Sequence, residues 1–193
     1  ESEMFLLKYL NENEFITPAS LEGMFERTVT CFSVSKGMGL SGLRVGYIVT
    51  SDVIMDTMYA NAVGVLGATH TASQRAVIAA FEDSSFMKVF EEAFDVRRHK
   101  AYEIINSIPN VSMALPESGF LCWVNVSKLG NSSDIVSYLV KEAKVSINDG
   151  VNYGPGGKGH LRIVLGVYKD NQKVFDALER IKTALIKYQE KES

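Results

Sequence analysis

SVSKGMGLSGLRVGY, residues 33–47, places one lysine between two serines and a glycine-rich bend, with an arginine eight residues further on. Just upstream, VTCFSVS (29–35) is a short apolar run rich in β-formers, the pattern of a buried parallel strand. Gly37–Gly42 interrupts that run, and RVGYIVT (44–50) reads as a second strand. Strand, flexible bend and return strand let the chain double back, so that Lys36 and Arg44 can face one ligand.

The residue types at this spacing support a specific chemistry. A lysine at the carboxyl end of a buried strand loses its proton more readily than in water, because desolvation disfavours the ammonium. Such an amine can form a Schiff base with an aldehyde. Ser33 and Ser35, two apart on a strand, share one face and offer hydroxyl donors to an anion. Arg44 adds a planar fork suited to phosphate. A Schiff-base lysine beside a phosphate clamp is what pyridoxal phosphate requires. A surface turn with an exposed lysine and arginine explains the same spacing, and spacing alone leaves both readings open.

Beyond this stretch a short helix is expected around Ser20–Arg27 and another after Asp52, ending near Gly64 and Gly67. Helical periodicity runs from Thr71 to about Ile108 with one break at Asp83-Ser84-Ser85, and Pro109-Asn110 ends it. In its second part Phe86, Phe90, Phe94, Ala101, Ile104, Ile105 and Ile108 recur at three- and four-residue steps. Then follow strands VSMAL and FLCWVNV, a helix over 132–143, strand VSI (145–147), a glycine loop, strand HLRIVLG and a helix over 170–189. In that last helix Val174, Leu178, Ile181 and Leu185 share a face. The expected fold is α/β. Residues 1–85 read as part of a larger, mostly parallel sheet domain, and 86–193 as a small α+β domain with a mostly antiparallel sheet.

Composition narrows the partners. At 193 residues, 46% hydrophobic and 22% charged, the chain is an ordinary globular one of a single domain or two small ones. A net charge of -3 argues against nucleic acid, whose phosphates need a basic face. The densest basic run, Arg97-Arg98-His99-Lys100, reads as a solvated helix face. Cys31 and Cys122 lie in apolar strand-like runs and read as reduced core thiols of a cytoplasmic protein, with neither a disulfide framework nor a metal spacing. No apolar stretch approaches membrane-spanning length and no signal peptide is visible. The chain lacks an initiator methionine and has few strands to bury a parallel sheet, so it is expected to be a carboxyl-terminal portion of something longer.

Position by position, Ser33-Val34-Ser35-Lys36-Gly37-Met38-Gly39-Leu40-Ser41-Gly42-Leu43-Arg44-Val45-Gly46 resembles the cofactor-lysine signature of fold-type I pyridoxal-phosphate-dependent aminotransferases of class I/II. The resemblance implies that Lys36 carries the cofactor as a Schiff base and that Ser33 and Arg44 bind its phosphate; Ser35 joins them as a cofactor-binding candidate through its hydroxyl. NYGPGGKGHLRIVLG (152–166) resembles the family's glycine loop and following strand, which makes Arg162 the residue that pairs with the substrate α-carboxylate. Alternation puts Leu161, Ile163 and Leu165 on one face and His160, Arg162 and Val164 on the other. His160 and His99 read as surface or edge residues. Gly154–Gly159 lacks the Gly-Lys-Ser/Thr ending of a phosphate loop and runs into a strand. His70, in GATHTASQ, falls in a family segment that approaches the neighbouring subunit.

The family therefore implies transamination between an amino acid and a 2-oxo acid, in a cytoplasmic homodimer. The family's ring-binding aspartate, tyrosine and asparagine are expected upstream of Glu1. No arginine occurs between Asp52 and Gln74, where some dicarboxylate-specific relatives carry a side-chain clamp. Alternatives on the same scaffold are a lyase, decarboxylase or synthase, or the pyridoxal-phosphate-sensing domain of a transcription regulator.

Overall fold

A computed structural model of the chain describes residues 2–3 and 16–192. They form two compact units, Glu1–Val89 with Glu117–Gly119, and Phe90–Pro116 with Phe120–Ser193.

In the first unit β1 (Ser2–Glu3), β2 (Thr30–Ser33) and β3 (Gly46–Val49) make a sheet in that order. β2 runs parallel to β1 and antiparallel to β3, so the strand read as parallel sits in a mixed sheet. Two single 3-10 turns, Pro18–Ser20 and Phe25–Arg27, stand where one helix is expected around Ser20–Arg27. Gly23 between them has φ 69°, which ends any continuous helix. α1 (Asp52–Val65) and α2 (Thr71–Glu82) follow. Val34, Met38, Val77 and Met87 form the small core of this unit. Tyr47 stacks on Phe32 at 4.7 Å and meets Phe81 edge-on. Cys31 is exposed, contrary to the core reading, because neighbouring strand residues alternate faces and Thr30 takes the buried one. α1 buries none of its residues, and Val53, Val65 and Leu66 are largely exposed.

The second unit holds most of α3 (Met87–Asn106), then β4 (Ser112–Met113), β5 (Leu121–Asn125), α4 (Ser132–Glu142), β6 (Asn148–Asp149), β7 (His160–Val164) and α5 (Asn171–Glu192). Its sheet has the order β4-β5-β7-β6 and is antiparallel throughout, as the sequence implies. Cys122 and Val124 of β5, and Leu161 and Ile163 of β7, point to the helices and are buried. They meet Ile105 of α3, Ile108 in the turn after it, Leu139 of α4, and Val174, Leu178, Ile181 and Leu185 of α5 in one core. Each fully buried Leu or Ile contributes about 1.5–3 kcal/mol against exposure. Burial pushes the Cys122 thiol up to about 12, which keeps it inert.

Two expectations fail here. Residues 145–147 are not a strand; the edge strand is the pair Asn148–Asp149. The preceding segment is tied back to the helices instead: Arg180 Nη1 donates to the Ala143 carbonyl at 2.8 Å, and Lys144 turns with φ 54°. The basic run is also not a solvated face. Arg97 and Arg98 are each 3% exposed. Arg97 donates from Nη1 to the Leu165 carbonyl (2.8 Å), from Nη2 to the Lys169 carbonyl (2.8 Å) and from Nε to Asn171 Oδ1 (2.7 Å). Burial lowers the Arg97 guanidinium from its ordinary value, with Asp170 acting against that. Arg98 donates to the Pro116 carbonyl and pairs with Asp95 at 2.6 Å. His99 and Lys100 alone remain on the solvent side.

Candidate active site

The lysine motif folds as one end of the β2–β3 pair. Ser33 is the last residue of β2 and lies opposite Gly46. A Cβ on Gly46 would stand 2.9 Å from the Phe32 carbonyl oxygen, so the return strand needs glycine at that point. Between them the chain turns over residues 34–43. Leu40 N–H donates to the Val34 carbonyl and Gly39 N–H to the Lys36 carbonyl, both at 3.2 Å. Val34 and Met38, 1% and 3% exposed, anchor the turn in the core and leave Lys36 at its outer side.

Lys36 is exposed, three residues past the strand end, so the described residues do not supply the burial expected for it. Ser33 and Ser35 do not share a strand face either. The strand stops at Ser33, and Ser35 N–H donates to Ser33 Oγ at 3.2 Å in a serine turn. Both hydroxyls keep a proton to donate. Arg44 follows a 3-10 turn (Ser41–Leu43) with φ 54° and ψ 44°, a left-handed backbone that costs a non-glycine residue about 1–3 kcal/mol. Its Nη1 donates to the Ser41 carbonyl at 2.9 Å, and among the described residues no carboxylate pairs with it. Two hydroxyls, an unneutralised guanidinium and an exposed amine thus stand at one hairpin end.

Arg162 belongs to the second unit, near the middle of β7, opposite Trp123 of β5 and Asn148 of β6. Its neighbours Leu161 and Ile163 are buried, so its own side chain stands on the helix-free face, as alternation requires. Nη1 donates to Asn148 Oδ1 and to the Tyr153 hydroxyl, each at 3.1 Å. The guanidinium carbon lies 5.2 Å from the Tyr153 ring centre. Trp123 meets Tyr153 edge-on at 5.8 Å and stacks on His160 at 5.4 Å. His160 thus joins Trp123 and Tyr153 in an aromatic row, with its Nδ1 3.1 Å from the Lys158 carbonyl oxygen in an exposed contact. Trp123, Tyr153 and Asn148 escape a sequence reading, although Trp123 shares its alternation phase with Asn125 of β5.

The glycine loop that carries Tyr153 is built by close backbone approach. A Cβ on Gly157 would stand 1.8 Å from the Gly150 carbonyl oxygen, and one on Gly150 would stand 2.2 Å from that of Gly157. Only glycine at both positions lets the two short turns, Gly150–Tyr153 and Pro155–Gly157, fold against each other. Asp149 ties the loop to α4. Its carboxylate accepts from the hydroxyls of Ser132 and Ser133 and from Val151 N–H. Burial raises the Asp149 carboxyl, but those three hydrogen bonds outweigh it and hold the group below its ordinary value.

The chain belongs to the class I and II aminotransferase family, whose sequence model matches residues 9–181. Aromatic-amino-acid aminotransferase 2 of Thermococcus litoralis is 29% identical over 170 residues, which are 84% of this chain and 43% of that protein. Cystathionine beta-lyase PatB of Bacillus subtilis is 27% identical over 173 residues, 86% of this chain and 44% of that protein. A PLP-bound aminotransferase-family protein from Clostridium difficile 630 superposes with a TM-score of 0.85 at 28% identity, over 95% of this chain and 49% of that one. The chain spans less than half the length of these curated relatives.

Proposed function

We propose that the full-length protein is a pyridoxal-phosphate-dependent aminotransferase that moves an amino group between an amino acid and a 2-oxo acid. Family membership supports the reaction class. The observation that carries the residue assignment is the unbroken motif folded into one hairpin end, with Arg44 held in a left-handed turn.

In this reading Ser33, Ser35 and Arg44 would hold the phosphate of the cofactor, and Lys36 its aldehyde carbon. When bound, that cofactor supplies an electron sink for the carbanion left at Cα. Arg162 takes the substrate carboxylate in a two-bonded fork, which fixes the direction of the Cα–H bond. The Lys36 amine, once freed, would accept the Cα proton as general base and give it up again as general acid to complete the proton shift.

The first compact unit is the carboxyl-terminal part of a larger cofactor-binding domain, near the expected range 1–85, and the second is the small domain, near 86–193. The uncovered apolar side chains of the first unit, such as Val53, Val65 and Leu66, support assembly as a homodimer. No helix among the described residues is long and apolar enough to cross a membrane, and the two thiols are free, which suits the cytoplasm.

Similarity to a cystathionine beta-lyase favours one second reading, carbon–sulfur bond cleavage with the same lysine and arginine. Adding pyridoxal phosphate to the full-length protein tests both. The expected result is a visible absorbance band from the lysine-bound cofactor, lost in Lys36→Ala, together with amino transfer to 2-oxoglutarate. Thiol release from L-cystathionine without transfer would select the lyase. Turnover retained in Lys36→Ala overturns the assignment.

A further inference from the structure

Arg162 has five N–H donors, and the structure shows where two of them go. Nη1 donates to Asn148 Oδ1 and to the Tyr153 hydroxyl, both at 3.1 Å, so both of its hydrogens are used. Among the described residues Nε and Nη2 make no hydrogen bond. A planar guanidinium can present a carboxylate with two forks: the end-on pair Nη1 and Nη2, or the side-on pair Nε and Nη2. With Nη1 occupied, the end-on fork is closed.

We infer that Asn148 and Tyr153 are positioning residues that turn Arg162 so that only its Nε–Nη2 edge meets a substrate carboxylate. This rests on the assignment of Arg162 as the carboxylate anchor. Both acceptors are themselves held in place. Asn148 is in register with Arg162 on the neighbouring strand, so its amide oxygen is placed by the ladder. Tyr153 is carried by the loop that the Gly150–Gly157 contact closes, and its ring is braced edge-on by Trp123. Neither acceptor carries a charge, so the positive charge of Arg162 is oriented without being neutralised. An aspartate at 148 would compete with the substrate; an asparagine does not. The uncharged acceptors therefore select a geometry while leaving the attraction intact.

The test uses the full-length protein loaded with pyridoxal phosphate. Tyr153→Phe and Asn148→Ala each free one Nη1 hydrogen and keep the Arg162 charge. KM and kcat are measured for whichever of L-phenylalanine, L-alanine, L-glutamate and L-cystathionine the parent handles best, with Arg162→Ala alongside. Loss of one charge-assisted hydrogen bond in the fork corresponds to a rise in KM of about tenfold or more, and a fork that no longer aligns the Cα–H bond lowers kcat as well. Asn148→Asp keeps an acceptor in place but adds a competing charge, and it should raise KM further than Asn148→Ala. The primary amine that lacks the carboxylate should inhibit parent, Tyr153→Phe and Asn148→Ala equally, a readout that general loosening of the site would not spare. If Arg162→Ala raises KM but neither Tyr153→Phe nor Asn148→Ala does, the positioning inference is overturned and the anchor stands. If Arg162→Ala itself leaves KM unchanged, the anchor assignment fails.

Discussion

Arg97→Met replaces a buried guanidinium with an apolar side chain of similar length. The change strips the Leu165 carbonyl, the Lys169 carbonyl and Asn171 Oδ1 of a donor each. One of these bonds is fully buried and two are partly so. An acceptor left unpaired inside a protein costs about 1–3 kcal/mol, so the three together come to about 3 kcal/mol or more once partial access to water is allowed for. The loss falls on the segment between β7 and α5, which the bonds hold against α3. Lys100→Met is the internal control. It lies in the same basic run, its side chain is 40% exposed, and its ion pair with Glu103 spans a single helical turn. Exposed pairs of that kind contribute well under about 1 kcal/mol. Urea unfolding of the full-length protein, followed by circular dichroism, should show a clearly lower midpoint for Arg97→Met and almost none for Lys100→Met. Equal midpoints for the two variants would refute the reasoning and restore the view of the run as a solvated face.

Other perturbations address the loop beside Arg162. Gly157→Ala drives a methyl to 1.8 Å from a backbone oxygen, which no side-chain rearrangement relieves, so the loop must open at a cost of about 2 kcal/mol or more. Trp123, which touches Tyr153 of that loop, should report the opening by fluorescence, and an unchanged spectrum and melting temperature would disprove the close-packing account. The carboxyl of Asp149 is held below its ordinary value of 3.8 in the folded chain. Its stabilisation is therefore fully present above 3.8 and is lost as pH falls through the lower folded value. Asp149→Asn should be less stable at neutral pH and should show a shallower loss of stability on acidification. Parallel pH–stability curves for parent and variant would count against that carboxylate's role.

Much of the fold is legible in the residues because local chemistry decides it. The break at Asp83-Ser84-Ser85, the stop at Pro109-Asn110 and the apolar stripe of the last helix are all recorded in single-residue preferences and spacing, and the structure places α2, α3 and α5 accordingly. The basic run was legible too, against its charge: Arg97 and Arg98 lie four and three residues before buried Ala101, on the core stripe. Periodicity carried the answer there and composition misled. The edge strand was not legible, since VSI has the better strand residues, yet Asn148–Asp149 pair with β7 because Arg180 and the α4 end hold the preceding segment elsewhere.

The same division runs through the site. The order of side chains alone sets Lys36, Ser33, Ser35 and Arg44 beside one bend and Arg162 on the open face of a strand, because alternation and turn chemistry act over a few residues. Tertiary structure decides that Ser35 leaves the strand, that Lys36 stands exposed and that Asn148 and Tyr153 both converge on Arg162 Nη1. Those outcomes depend on which backbones approach each other across strands and loops, as at Gly150 and Gly157. Such contacts join residues that no local pattern links.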